Sequence, residues 1–354
     1  MEPLEGKRVL IMGGTGSLGQ VLVRRLLTGE MGQPRKIMIL SRDEAKQHAM
    51  RIEYRHKRAV TDEIIYRNFM ELLEFRIGDV RDLHSLVAAL VDADVVFNAA
   101  ALKQVPTCEY FPYEAVMTNI GGPENIVRAI QEHGLPVETV VGISTDKACK
   151  PVNVMGMTKA IQERVLIQGN MRCPHTRFIC VRYGNVLASR GSVIPLFLEQ
   201  IRSGGPVTIT TPDMTRFLLS LDVAVDTVFA AVRDGRRGET YIPRTPSARA
   251  LDIAAVLIGD RPIRTVVIGI RPGEKVHEIL VSEEERHRTL QREKYYVILP
   301  ILPELREGEE PVQPLEQEYS SAQNVMDRVS LEALLRQHRL TVDVEPAEVE
   351  EMLQ

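Results

Sequence analysis

The fold of this 354-residue chain follows from one stretch, Val9-Leu10-Ile11-Met12-Gly13-Gly14-Thr15-Gly16-Ser17-Leu18-Gly19. An apolar run leads into glycines spaced three residues apart, and an amphipathic run follows. Residues without a Cβ let such a turn bend sharply and approach a pyrophosphate, while the first amides of the helix face the anion. Because a strand and a helix flank the glycines directly, we predict a dinucleotide-binding turn. Its expected cofactor contacts are Gly13, Thr15, Gly16, Ser17, Leu18 and Gly19.

The second predicted strand ends at Ser41 and Arg42. In dinucleotide-binding folds an acidic residue at this point holds the 2′-hydroxyl of NAD. A hydroxyl beside a guanidinium suits a 2′-phosphate better, because Arg makes charge-assisted hydrogen bonds to phosphate. The sequence therefore favours NADP, although Asp43 follows directly. We assign Lys46 to the same cofactor site.

Outward from the turn, the first half of the chain alternates apolar β-branched runs with amphipathic runs. This pattern is typical of a parallel sheet covered by helices on both faces. Strands are predicted at Arg8–Met12, Lys36–Leu40, Leu73–Ile77, Val95–Ala99, Thr139–Ile143 and Phe178–Arg182. Helices are predicted at Gly19–Leu27, Ser85–Leu90, Tyr113–Glu132 and Asn153–Gly169. The fold class is therefore α/β, a Rossmann-like doubly wound parallel sheet.

The second half of the chain is mixed, and a chain of this length is expected to hold two unequal parts. The helical runs Leu221–Arg233 and Leu251–Ile258 are predicted to return to the first core, and a last helix lies near Leu331–His338. The stretch Glu304–Glu318 is predicted to be an exposed loop. We assign the Rossmann domain to residues 1–183 plus about 218–260. A smaller mixed α/β substrate lobe takes about 184–217 plus 261–354.

Composition argues against several classes of protein. The chain is 44% hydrophobic and 26% charged, which is ordinary for a globular protein. Its net charge of −4 provides no general basic field for nucleic acid or an anionic membrane. No window approaches the roughly 18 apolar residues of a membrane helix. The four cysteines form no CxxC motif and have no zinc-like spacing, so we expect reduced thiols, no metal site and a cytoplasmic protein.

A second informative stretch is Ser144-Thr145-Asp146-Lys147-Ala148-Cys149-Lys150-Pro151-Val152-Asn153-Val154-Met155-Gly156-Met157-Thr158-Lys159. In short-chain dehydrogenases, a Tyr and a Lys four residues apart share one helix face, the Tyr as acid/base and the Lys on the nicotinamide ribose. Lys159 is present, but Met155 stands where the Tyr belongs. A thioether cannot transfer a proton, so either the protein is inactive or the proton chemistry lies on other residues.

These residues resemble the UDP-N-acetylglucosamine 4,6-dehydratases of bacterial capsule, O-antigen and glycan biosynthesis, an extended short-chain dehydrogenase family with branches that carry Met here. The resemblance rests on Ser-Thr-Asp-Lys after the fifth strand and on the following Asn-Val-Met-Gly-x-Thr-Lys. It continues through Ser41–Glu44, Ala100–Pro106, Arg182–Val186, Ser189–Pro195, Met214–Phe217, Arg271–Lys275 and Glu318–Ser321. It departs at Asn98, where that family often has His, and in a longer stretch at Arg55–Asn68. The basic cluster Arg55–Arg58 in that stretch is interpreted as a solvated helix face, and an oligomer contact or an aid to the 2′-phosphate is the alternative.

The resemblance implies a reaction on a UDP-linked hexosamine. C4 is oxidised by NADP+, the C5 proton is removed, the C6 hydroxyl leaves, and the hydride returns to C6, giving a UDP-4-keto-6-deoxy-HexNAc with C5 inverted or retained. In this scheme Lys147 removes the C5 proton, Asp146 protonates the leaving hydroxyl, and Thr145 hydrogen-bonds the C4 oxygen. Either Asp146 or a water takes the C4 hydroxyl proton. Lys159 orients the cofactor, and further cofactor contacts are implied at Asp79, Val80, Ala99 and Ala100.

The resemblance also implies the substrate contacts. Arg190, Arg216 and Arg271 are expected to clamp the UDP diphosphate, while Lys103 and Asn185 line the sugar. The remaining expected contacts are Tyr183, Ser192, Val193 and Glu274. A homo-oligomer, either a hexamer or a dimer, is the implied assembly.

Two other functions stay open at this point. A nucleotide-sugar 4-epimerase would share the first half of the chain, but such enzymes usually retain the Tyr that Met155 replaces. A catalytically silent NADP-binding scaffold is the other alternative. The joint presence of Asp146, Lys147 and Lys159 argues against the scaffold, because a protein without catalysis does not need them.

Overall fold

A sheet of nine strands forms the centre of the computed structural model, which describes residues 2–56, 69, 71–187, 192–306 and 314–342. The strands of these residues, β1 to β15, are Arg8–Met12, Lys36–Ser41, Leu73–Ile77, Val95–Asn98, Thr139–Ile143, Arg177–Val181, Val207–Ile209, Thr215–Phe217, Thr240–Pro243, Ser247–Arg249, Thr265–Val267, Ile279–Val281, Thr289–Arg292, Tyr295–Ile298 and Tyr319–Ser320. The central sheet has the order β3-β2-β1-β4-β5-β6-β9-β14-β13. Its strands from β3 to β9 are parallel, which confirms the predicted parallel sheet.

Helices cover both faces of this sheet. The α-helices of the described residues, α1 to α11, are Ser17–Leu27, Glu44–His56, Leu83–Leu90, Val105–Tyr110, Pro112–Val116, Gly122–His133, Val154–Arg172, Val193–Arg202, Leu221–Asp234, Ala250–Ile258 and Arg328–Gln337. Within these ranges, no helix has both the length and the apolar character that a membrane crossing requires.

The two faces of β1 explain why its sequence is apolar throughout. Val9 and Ile11 pack into a cluster that includes residues of α1, α2 and α9. Leu10 and Met12 pack into a cluster with α3, α6 and α7 on the opposite face. A parallel strand buried on both faces has no position for a polar side chain, so the strand reads as one continuous apolar run.

The predicted helix Tyr113–Glu132 is interrupted in the structure. The segment begins as α5, passes through a π-helical turn at Met117–Gly121, and continues as α6. Pro123 stands in the first turn of α6 and has no backbone N–H to donate to the preceding turn. The helical period of the sequence continues across this segment and does not reveal the π-helical turn. A proline close to two glycines accounts for the interruption.

A second core, the small lobe, lies apart from the sheet. Its buried residues come from β7 and α8, from α10, and from α11 near the end of the described chain. The prediction that Leu251–Ile258 returns to the first core is wrong, because Ile253 and Leu257 of α10 pack in the small lobe. Conversely, the hairpin β13–β14 joins the central sheet through β9. An apolar helix does not specify by its own sequence which of two cores will cover it.

Candidate functional site

A cavity of about 820 Å³ lies at the carboxyl ends of the parallel strands, where α/β sheets bind ligands. Every candidate residue within the described ranges borders it. The cofactor candidates are Gly13, Thr15, Gly16, Ser17, Leu18, Gly19, Ser41, Arg42, Lys46, Asp79, Val80, Ala99, Ala100 and Lys159. The catalytic candidates are Thr145, Asp146, Lys147 and Met155, with Lys159. The substrate candidates are Lys103, Tyr183, Asn185, Ser192, Val193, Arg216, Arg271 and Glu274. Arg190 lies outside the described residues.

The glycine turn has no room for side chains at two of its positions. Gly13 has a φ of +77°, and a Cβ there would lie 2.8 Å from the backbone nitrogen of Ala100. A Cβ on Gly19 would lie 2.5 Å from Cα of Gly14, so α1 packs directly against the turn. The backbone nitrogen of Gly13 donates to Leu40 O at 2.9 Å, which ties the turn to β2. The turn is therefore a bare backbone surface at the start of α1, suited to a diphosphate.

Polar groups gather where β2 ends. Thr15 Oγ1 and Ser41 Oγ lie 3.2 Å apart, and Arg42 Nη1 lies 3.9 Å from Asp79 Oδ2. Arg81 also binds Asp79, at 2.6 Å. Burial acts to raise the pKa of Asp79, but its bonds to Arg81 outweigh burial, so its pKa is lowered and the group is an anion. The Arg42 side chain is 57% exposed, so it can rotate toward a ligand at this edge.

The catalytic candidates follow directly after β5. A short 3₁₀ turn, Asp146–Ala148, places Asp146 and Lys147 at the cavity wall. Thr145 Oγ1 donates to Asp146 Oδ1 at 2.8 Å, and Lys147 Nζ donates to the same oxygen at 3.1 Å. The backbone nitrogen of Asp146 donates to Tyr183 O at 3.0 Å, which joins this turn to the end of β6. The three side chains thus form one hydrogen-bonded cluster.

A second carboxylate faces Lys147 from the other half of the chain. Glu278 Oε1 lies 3.4 Å from Lys147 Nζ, and Arg216 Nε lies 3.9 Å from the same oxygen. Burial lowers the pKa of Lys147, but the carboxylates of Asp146 and Glu278 outweigh burial, and its pKa is raised. The free protein therefore holds Lys147 as an ammonium ion at neutral pH.

Five side-chain oxygens of residues that line the cavity are buried without a hydrogen-bond partner among the described residues: Thr118 Oγ1, Asp146 Oδ2, Asn185 Oδ1, Ser192 Oγ and Glu278 Oε2. Buried polar atoms are normally paired, so these acceptors are suited to a ligand that carries hydroxyl groups. A Cβ on Gly184 would lie 3.4 Å from Asp146 Oδ2 and 2.7 Å from Cβ of Phe217. Glycine at this position leaves space beside the carboxylate.

Met155 lies near the start of α7, where the helix packs close to the 3₁₀ turn Asp146–Ala148. Asn153 caps this helix by accepting from the backbone nitrogen of Gly156 at 2.8 Å. Met155 is buried against Cys108 and Ala115. A Cβ on Gly156 would collide with the carbonyl oxygen of Lys147. At the position of the usual Tyr, the cavity wall is therefore an apolar side chain held in a small core.

Lys159 lies one turn after Met155 and is buried. Its Nζ donates to Ile143 O at 2.8 Å and to Gln162 Oε1 at 2.9 Å. Burial lowers its pKa to about 8, and no carboxylate of the described residues forms an ion pair with it to offset this effect. Its charge is therefore sensitive to the polarity of whatever occupies the cavity.

The substrate candidates come mainly from the second half of the chain. Arg216 on β8 is buried, and its Nη1 donates to Thr215 O at 2.7 Å. Arg271 is exposed on the loop that also carries Glu274. Asn153 Nδ2 donates to Gly273 O at 2.8 Å, so this loop is tied to the cap of α7. Cations from two separate segments thus border the same cavity.

Sequence reasoning missed Glu278 and an apolar part of the wall formed by Leu196, Phe197, Ile209 and Met214. The signal for Glu278 was its place in Glu274-Lys275-Val276-His277-Glu278, four residues after a candidate substrate contact. The apolar residues carried no local signal, because they also fit an ordinary core.

Known proteins resemble this chain over most of its length. Residues 9–300 match the family described as "Polysaccharide biosynthesis protein". The UDP-glucose 4-epimerase of Rickettsia conorii is 43% identical over 297 residues, 82% of each chain. The X-ray structure of Pen from Bacillus thuringiensis is 32% identical, has a TM-score of 0.82, and aligns with 95% of this chain and 99% of that chain.

A more distant structure shares the fold alone. DesIV, a dTDP-glucose 4,6-dehydratase from Streptomyces venezuelae with NAD and TYD bound, is 19% identical with a TM-score of 0.63. It covers 76% of this chain and 86% of its own. Together with the parallel sheet and its glycine turn, these likenesses confirm the predicted Rossmann-like α/β fold. The chain belongs to the polysaccharide biosynthesis protein family.

Proposed function

We propose that this protein is an NADP-dependent UDP-N-acetylglucosamine 4,6-dehydratase. The observation that supports it most is the cluster of Thr145, Asp146 and Lys147, which borders the same cavity as the glycine turn. One carboxylate oxygen of this cluster, Asp146 Oδ2, has no hydrogen-bond partner among the described residues and could accept one from a ligand. A dehydratase needs an acid and a base held next to each other and next to a dinucleotide. In the free protein Asp146 and Lys147 lie next to each other, at the cavity that the glycine turn also borders.

The described residues fit a bound dinucleotide. The Gly13 and Gly19 positions, where a Cβ would collide with backbone, form the cradle that a diphosphate requires. Arg42, directly after β2, and Lys46, in the first turn of α2, each have a side chain 57% exposed, and these two cations favour a 2′-phosphate and hence NADP. The nicotinamide, when bound, supplies the hydride acceptor and donor. Lys159 would hold its ribose.

The C4 hydroxyl proton has a route in this structure that needs no Tyr. Thr145 Oγ1 already donates to Asp146 Oδ1, so Thr145 can accept the C4 proton while it passes its own proton to Asp146. The protonated Asp146 can then deliver that proton to the departing C6 oxygen. Lys147, the adjacent amine, removes the proton from C5. We propose this sequence because it leaves Asp146 in its starting state.

A 4-epimerase is the second candidate, favoured by the name of the Rickettsia relative at 43% identity. Epimerisation needs a group that takes and returns the C4 proton, but it needs no acid at C6 and no base at C5. The Asp146–Lys147 pair would then have no assigned task. The elimination reaction uses every charged member of the cluster, and so we prefer it.

One experiment separates these activities. The purified protein is incubated with NADP+ and either UDP-N-acetylglucosamine or UDP-glucose, and the products are examined by mass spectrometry and proton NMR. Dehydration removes one water from the mass, whereas epimerisation keeps the mass and changes the C4 stereochemistry. A protein that binds NADP and changes neither sugar would be a silent scaffold and would refute both candidates.

A further inference from the structure

Glu278 is a charged group at the cavity that the scheme above leaves unused. It precedes β12, it is buried, and its Oε1 lies 3.4 Å from Lys147 Nζ. Its second oxygen is buried with no hydrogen-bond partner among the described residues. Burial of such a group costs free energy in the folded protein. Its presence opposite Lys147 therefore calls for a reason in the chemistry.

The backbone holds Glu278 in place from both sides. Its nitrogen donates to Ser321 Oγ at 2.9 Å, and the nitrogen of Ser321 donates to Glu278 O at 2.8 Å. Ser321 Oγ also lies 2.7 Å from Thr215 Oγ1, which lies 2.8 Å from His277 Nδ1. The carboxylate is thus positioned toward Lys147 before any substrate binds.

Four charged side chains meet at this point: Asp146, Lys147, Arg216 and Glu278. When all are ionised, two positive charges balance two negative charges. A proton that moves from Lys147 to Glu278 preserves this balance, because both partners become neutral together. Because the side chains of Lys147 and Glu278 are largely buried, a transfer without net charge avoids the penalty of leaving one buried ion unpaired.

We propose that Glu278 accepts the ammonium proton of Lys147 and so provides the free amine that removes the C5 proton. This inference rests on the proposed dehydratase function. An N–H bond of Lys147 breaks and an O–H bond forms on Glu278. The C5–H bond then breaks, its proton forms a new N–H bond on Lys147, and its electron pair converts the C5–C6 single bond into a double bond as the C6–O bond breaks. Asp146 protonates the leaving oxygen.

The cycle closes without an external acid or base. Lys147 returns a proton to C5, and Glu278 then returns its proton to Lys147, which restores the ammonium and both carboxylates. The carboxylates also raise the pKa of Lys147, so bulk water at neutral pH does not take this proton in their place. In this role Glu278 acts through Lys147 and is thus a positioning residue for its amine.

The first test needs no substrate. Acetic anhydride reacts with a lysine only in its unprotonated form, and peptide mass spectrometry of the full-length protein gives the rate of labelling at Lys147. Glu278→Gln removes one carboxylate that holds the proton, so Lys147 should be labelled at least about tenfold faster at pH 8. Glu283→Gln, which changes an exposed carboxylate on the neighbouring loop, should leave the rate unchanged. Equal rates for the wild type and Glu278→Gln overturn the proposal.

A second variant covers the case in which Glu278→Gln does not fold, as judged by circular dichroism. Glu278→Asp keeps the negative charge but moves the carboxylate away from Lys147 by about the length of one methylene. Lys147 should therefore be labelled faster in this variant than in the wild type. A rate for Glu278→Asp equal to the wild-type rate would then overturn the proposal by itself.

The third test follows turnover of UDP-N-acetylglucosamine by the NADP-loaded protein. Glu278→Gln should lose at least about 100-fold in kcat at pH 7, while KM changes by less than about threefold. Its activity should recover toward pH 9, because Lys147 has lost one of the carboxylates that raise its pKa and can release its proton to water. A loss of the same size at pH 7 and pH 9 indicates a structural role and overturns the proposal.

The two readouts also separate this inference from the proposed function. If the wild-type protein leaves UDP-N-acetylglucosamine unchanged but Lys147 is labelled faster in Glu278→Gln than in the wild type, the dehydratase function is refuted and the proton transfer between Lys147 and Glu278 is supported. A wild-type protein that dehydrates this sugar, with no difference in labelling, supports the dehydratase and refutes the role of Glu278.

Discussion

Replacing Arg42 with Ala should separate the two dinucleotides. Its guanidinium is 57% exposed and lies 3.9 Å from Asp79, a long contact that contributes little in water. A charge-assisted hydrogen bond to phosphate contributes roughly 1.5–3 kcal/mol, and the exposure of this side chain favours the lower end. A loss of about 1.4 kcal/mol corresponds to a tenfold change in Kd. We therefore expect Arg42→Ala to weaken NADP binding about tenfold.

NAD lacks the 2′-phosphate, so its Kd should change by less than about twofold in the same variant. Isothermal titration calorimetry with each cofactor at two salt concentrations measures both values, and the NADP effect should shrink as salt screens the charge. Arg233→Ala is the matched control, because Arg233 on α9 has a side chain 51% exposed and does not border the cavity. Equal losses for NADP and NAD would refute the assignment of Arg42 to the 2′-phosphate.

Three further predictions concern the cluster and the fold. Lys147→Ala should abolish both water loss and deuterium wash-in at C5, measured by mass spectrometry, while NADP stays bound; a variant with most of its turnover would remove Lys147 from the mechanism. Met155→Leu roughly conserves volume at a cost under about 1.5 kcal/mol and should keep substantial activity, whereas Asp146→Asn cannot deliver a proton and should lose it. A Met155→Leu variant that folds and binds NADP but is inactive, or an Asp146→Asn variant that is fully active, contradicts the assignment of proton transfer to Thr145, Asp146 and Lys147. Glu285→Gln should lower the free energy of unfolding by about 3 kcal/mol at pH 7, because it breaks a buried ion pair with Arg182 at 2.7 Å. Burial acts to raise the pKa of Glu285, but Arg182 outweighs it and lowers the pKa to about 2 from an ordinary 4.5. The stabilisation is therefore complete above pH 4.5 and is lost as the pH falls toward 2, so urea unfolding at pH 7 and pH 3 should show a smaller difference between the two proteins at pH 3. An equal difference at both pH values would contradict this account.

Continuous apolar runs in the sequence predicted the inner parallel strands, because nearly every position along such a strand is buried. β1 and β5 begin and end at the predicted residues, Arg8–Met12 and Thr139–Ile143. Such strands are buried on both faces and need continuous apolar runs. The helix Ala250–Ile258 was predicted correctly as a helix but assigned to the wrong core, because periodicity specifies a buried face and not its partner.

By itself, the sequence determined the α/β class, the glycine turn and the adjacency of Thr145, Asp146 and Lys147, because each depends on residues close together in the chain. The tertiary structure decided that Glu278 faces Lys147 and that the hairpin β13–β14 extends the central sheet through β9. These contacts join segments far apart in sequence. They depend on how the small lobe and the sheet pack as whole bodies, and no local period of side chains encodes that arrangement.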